Sequence, residues 1–146
     1  MIVSERKYER FFWLASVGVA LALAGCASMM GQKGVQVTLS GASEVPPVKT
    51  SATGTGTIVV GTDQSVSGSV TTSGVVGTAA HIHTGAAGAN GPIAVGMDRN
   101  GDNGWRIPAG ARFTDAQYED YRAGRTYVNV HSAANKGGEI RGQLRP

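Results

Sequence analysis

Residues 126–132 read Thr126-Tyr127-Val128-Asn129-Val130-His131-Ser132, and their alternation decides the fold. Val128 and Val130 fall on one face, and Tyr127, Asn129 and His131 on the other. That is the period-two signature of a strand with one face in a core. The same parity recurs in Ala79–Thr84, where Ala80 and Ile82 oppose His81 and His83. Five further stretches read as strands: Val35–Leu39, Gly54–Val60, Ser65–Thr72, Ile93–Met97 and Glu139–Leu144. Gly, Asp and Asn punctuate them, as in Gly61-Thr62-Asp63 and Asn100–Gly104. Seven short strands with frequent turns predict an all-β domain over residues 35–146. Its expected form is an antiparallel Greek-key-like β-sandwich or flattened barrel with one short surface helix. That helix follows Thr114, an N-cap residue with Gln117 at the third helical position, and Gly124 suits its end.

Working outward to the N-terminus, the pattern changes. Arg6, Lys7 and Arg10 precede the apolar run 11–25 (FFWLASVGVALALAG), about fifteen residues long. A bilayer crossing usually takes about 20, so the run reads as a signal peptide over residues 1–25. It ends in Leu23-Ala24-Gly25-Cys26, which resembles the lipobox of bacterial lipoproteins. The resemblance implies cleavage before Cys26, acylation of its thiol and a membrane partner reached through that lipid. Ala27 rather than Asp follows the cysteine, which in Gram-negative lipoproteins implies the outer membrane of the cell envelope. Residues 26–34 then form the lipidated cysteine and a small, polar tether. Because Cys26 is the chain's one cysteine, the mature domain has no internal disulfide and rests on its core or on bound metal.

Composition excludes several function classes. The whole chain carries a net charge of +3, and after removal of residues 1–25 ten basic residues face eight acidic ones. Without a basic run or aromatic–basic interleaving, a nucleic-acid partner is not expected. There is no Gly-x-Ser-x-Gly elbow and no phosphate-binding loop, and Glu44 and Glu139 have no partner for acid–base work. Asp98-Arg99-Asn100-Gly101-Asp102 looks like the first half of a calcium loop. Asn103 stands where that loop needs Gly and Ala109 where it needs Glu, so the segment reads as a turn.

The chemistry rests on the three histidines. In a strand, residues i and i+2 share a face, so His81 and His83 point the same way, opposite the apolar Ala80 and Ile82. His131 shares that orientation on its own strand. Neutral imidazoles suit copper, zinc, iron or nickel, and three of them leave an open coordination position. Packing is the favoured role of Met97, at a strand end, with axial ligation as the alternative; Met29 and Met30 are the other soft donors. Protonated imidazole does not coordinate, so binding by ordinary histidines is expected to fall as pH drops through about 6.5.

Three stretches together resemble the CHRD domain, the module named from chordin. They are Leu39–Val48 (LSGASEVPPV), Ala80–Gly85 (AHIHTG), and Tyr127–His131 (YVNVH) followed by Gly138–Leu144 (GEIRGQL). The resemblance spans residues 35–146 and implies an antiparallel β-sandwich. More distantly, His81-x-His83 with Gly124-Arg125-Thr126 and the later His131 is similar to copper/zinc superoxide dismutase. That likeness implies His81, His83 and His131 as copper ligands, with zinc as the alternative metal. It also sets Arg141 beside the arginine that guides superoxide, although a plain surface strand residue is the favoured reading. Glu44 and Asn129 join as accessory candidates. A fourth, bridging histidine, the zinc ligands and the cysteine pair are all missing, so a one-metal site survives the comparison and a two-metal dismutase does not. The expectation is therefore an exported, lipid-anchored copper-binding domain for envelope metal handling. The alternatives are a copper-only dismutase-like enzyme and a structural or adhesive module.

Overall fold

A computed structural model describes residues 33–146. The signal peptide, Cys26, Met29, Met30 and nearly all of the tether lie outside these residues. The described chain forms eight strands: β1 (Val35–Ser40), β2 (Thr53–Val60), β3 (Val66–Ser73), β4 (Gly77–Thr84), β5 (Ile93–Arg99), β6 (Gly104–Arg106), β7 (Thr126–Ser132) and β8 (Ile140–Leu144). They close into an antiparallel barrel in the order β1-β2-β3-β6-β5-β4-β7-β8. Strands β4, β5 and β6 run as a meander, and β7 returns by a long connection to lie beside β4. That is the Greek-key order expected from the sequence. The barrel closes where Ser40 of β1 meets Arg141 of β8.

The expected helix is present as α1 (Asp115–Arg122), with the full capping box between Thr114 and Gln117 and Gly124 at a positive φ of 68° just beyond it. No helix among the described residues is long and apolar enough to cross a membrane. Strand β6 was not expected. Its three residues follow a turn and are too few for a period-two pattern, yet they place Trp105 in the core.

The interior follows the alternation. Val37, Leu39, Ile58, Val70, Ala80, Ile82, Val95, Met97, Trp105, Val128, Val130, Ile140 and Leu144 share one core. Each strand sends every second side chain inward, and full burial of one such aliphatic group stabilises by roughly 1.5–3 kcal/mol. The inward positions of β4 and β7 are therefore taken by Ala80, Ile82, Val128 and Val130. His81, His83 and His131 are left on the outside of the barrel wall.

Candidate metal centre

Strands β4 and β7 pair directly, with Ala79 opposite His131, His81 opposite Asn129 and His83 opposite Tyr127. The outer faces of two neighbouring strands thus bring all three imidazoles together. Each offers one ring nitrogen, and the three lie within 4.8 Å of one another. Points that close fit within a circle of radius about 2.8 Å, whereas metal–imidazole bonds are about 2.0–2.1 Å. A contraction of under an ångström would seat one ion.

The tautomers are set by carbonyl groups. His83 Nδ1 lies 2.9 Å from the Gly91 carbonyl oxygen, and His131 Nδ1 lies 2.9 Å from that of Lys136. A carbonyl only accepts, so both rings carry their proton on Nδ1 and keep a lone pair on Nε2. His83 Nε2 is buried with no hydrogen-bond partner. His131 Nε2 lies 2.9 Å from His81 Nδ1. With the His131 Nε2 lone pair accepting, the proton of that bond sits on His81 Nδ1, and an ion bound there would displace it. Burial with no partner is costly for a polar atom, and a metal ion would satisfy the orphaned nitrogen of His83.

Loops roof this face. The 85–92 loop supplies Gly91 to His83. Its anchors are hydrogen bonds from the Thr84 N–H to the Pro92 carbonyl and from the Gly85 N–H to the Arg125 carbonyl. The 133–139 loop supplies Lys136 to His131. There Glu139 Oε2 accepts from Ser132 Oγ (2.7 Å) and Asn135 Nδ2 (2.5 Å). The Ser132 bond, with further ones from Thr50 and Asn135, holds the Glu139 carboxyl below its ordinary range. Gly138 sits at φ 140°, and a Cβ there would meet Glu44 Oε1 at 2.3 Å. The opposite side is bare. Gly96 of β5 lies across from His81, and a Cβ added to it would touch nothing within 4 Å.

Electrostatics favour the neutral forms of His81 and His83. Burial pushes His81 down to about 4, helped by the neighbouring His131 and His83. Burial lowers His83 as well, although the Gly91 carbonyl works against it.

The other sequence candidates divide. Met97 pairs with Ala80 and lies in the barrel core, on the face away from the imidazoles, so packing is its role. Asn129 is buried beside His83 and Glu44. Glu44 is not one of the metal-ligating group. It is buried, and desolvation raises its carboxyl pKa against the opposing pull of Arg141. Arg141 is the clearest departure from expectation. It is no surface residue but 1% exposed, with its guanidinium carbon 3.4 Å from the centroid of Tyr127. Tyr127 itself was overlooked as a site residue, although it shares the outer face of β7 with His131. Its ring stacks on His83 with centroids 5.0 Å apart and planes 5° from parallel.

Compared with known families, residues 35–144 match the CHRD domain. No curated protein and no solved structure matches the chain.

Proposed function

Because the chain belongs to the CHRD domain family, we propose that this domain is a mononuclear metal-binding module. His81, His83 and His131 are its ligands and copper is its preferred ion. The observation that carries the reading is the convergence of three imidazoles within 4.8 Å, two of them oriented by backbone carbonyls. Copper is favoured because the donors are all nitrogen, with no thiolate or carboxylate among them, and such sites bind Cu(II) more tightly than Zn(II). Arg141 is committed to contacts beneath a loop and is not free to guide an anion, which favours binding over dismutase-like catalysis. Full-length protein titrated with Cu(II) is expected to saturate at one equivalent and show nitrogen hyperfine structure in its electron paramagnetic resonance spectrum. Zn(II) is expected to compete weakly. Failure to take up any saturable equivalent would dispose of the proposal.

The module acts at the cell envelope, held at the outer membrane by a lipid on Cys26, in metal sequestration, delivery or tolerance. What supports this is the sequence Leu23-Ala24-Gly25-Cys26 after a short apolar run. Mass spectrometry of membrane-extracted protein is expected to find a chain that begins at acylated Cys26, and Cys26→Ser is expected to remain unprocessed. A free thiol at Cys26 in native protein would contradict the anchor.

A further inference from the structure

We propose that Arg141 is a positioning residue that fixes the ring of His83 through Tyr127 and the 85–92 loop. The inference rests on the metal-binding reading for its functional meaning. Arg141 stands on the outer face of β8, opposite Asn129 of β7. A buried guanidinium is costly unless its charge and N–H groups are compensated. None of the ion pairs among the described residues involves it. Glu44 lies near enough to act on the charge of Arg141 without forming an ion pair, and the N–H groups and flat face of the guanidinium are met by the loop and an aromatic ring. Nη2 donates to the carbonyls of Ala86 and Ala89, both at 3.0 Å, and to Gln143 Oε1 at 3.3 Å. Nη1 donates to Asn90 Oδ1 at 3.3 Å, and the planar group lies over Tyr127.

Two routes lead from there to one imidazole. Along the backbone, Ala89 and Asn90 run directly into Gly91, whose carbonyl holds His83 Nδ1. Through the rings, Tyr127 of β7 lies between β8 and β4. Arg141 covers it from the β8 side, and His83 stacks on it from β4. The Gly91 N–H also donates to the Tyr127 hydroxyl at 3.2 Å, which joins the two routes. Gln143 steadies the base of the loop, with Nε2 donating to the carbonyls of Gly85 and Gly124, both at 2.9 Å. His131 is oriented by Lys136 on a different loop, which Arg141 does not touch, so it serves as an internal control.

The test begins on metal-free full-length protein, with imidazole nitrogens read by long-range ¹H–¹⁵N NMR. In the unmodified protein His83 and His131 are both expected as single Nδ1–H tautomers. In Arg141→Met, His83 is expected to become a tautomer mixture while His131 stays locked. Arg141→Lys, which keeps the charge but not the flat fork, is expected to fall between. Copper affinity should drop about ten- to a hundredfold in Arg141→Met, the usual scale for losing a group that orients a ligand. A locked His83 in a folded Arg141→Met protein would overturn the proposal, whatever the copper result. If Arg141→Met does not fold, Asn90→Ala removes one exposed anchor of the same loop. An unchanged His83 there would count equally against it. Copper binding by the unmodified protein is judged separately: its absence, alongside a clear tautomer effect, removes the metal reading and leaves Arg141 positioning His83.

Discussion

His131→Ala is expected to weaken copper binding at least a hundredfold, about 3 kcal/mol, while the protein stays folded. The site has three donors, and His131 is the only one contributed by β7, so its loss leaves the two histidines of β4 and an open-sided ion. His131 is also partly exposed and outside the core, so truncation leaves no cavity among the aliphatic residues. Its bond to Lys136 is worth on the order of 1 kcal/mol, a small part of the fold's stability. Met97→Leu is the matched control: it alters the core by a near-isosteric swap and is expected to leave copper affinity unchanged. Isothermal titration of both variants against the unmodified protein makes the comparison. Equal copper affinity in His131→Ala and the unmodified protein would rule out the three-histidine site.

Metal-free protein is expected to lose stability as pH falls from about 6.5 to about 4, and His81→Asn is expected to flatten that slope. His81 titrates near 6.5 in an unfolded chain and is pushed down to about 4 in the folded one. Between those values the unfolded state binds a proton that the folded state refuses, so acidification favours unfolding. The His81 contribution is whole above pH 6.5, declines through the window, and changes no further once both states are protonated. The shift corresponds to a ceiling of about 3 kcal/mol. Solvent reaches the His81 ring, so the effect expected is on the order of 1–2 kcal/mol. Melting temperatures measured across the window in chelator-treated protein give the slope, and an equal slope in His81→Asn would refute the assignment. For copper, the same shift lowers the point at which protons compete for His81 and His83 below the 6.5 expected from ordinary imidazoles.

Most of the fold was legible because period two is a geometric property of strands. Val128 and Val130 against Tyr127, Asn129 and His131 gave the inside and outside of β7, and Ala80 and Ile82 gave those of β4. Parity also brought out the histidine face of each strand, but that β4 and β7 are neighbours and present those faces together came only from their pairing. Strand β6 escaped because three residues after an Asn-Gly turn carry no periodicity. Gly91 and Lys136 escaped because their contribution is a carbonyl oxygen, which every residue has. The burial of Arg141 was hidden for a different reason. A strand residue on the outer face ordinarily meets water, and nothing in the spacing of 85–92 announces that this loop folds back over β8. Packing was the favoured role of Met97 and holds, but its ligand alternative stayed open because the β4–β5 register, which sets it opposite Ala80, is not written in either strand alone.

The histidines and the aliphatic core occupy opposite faces of the same barrel wall, and this separates two things that small metalloproteins often combine. In a zinc finger the ion is a structural staple, and its release is unfolding. Here the interior is complete without an ion, because Ile82, Val128 and Val130 are buried whether or not the imidazoles hold anything. On the proposed reading, an ion on the outer face would be cargo. It would be surrendered to a tighter acceptor by ligand exchange through the bare side at Gly96, leaving a vessel ready to be loaded again.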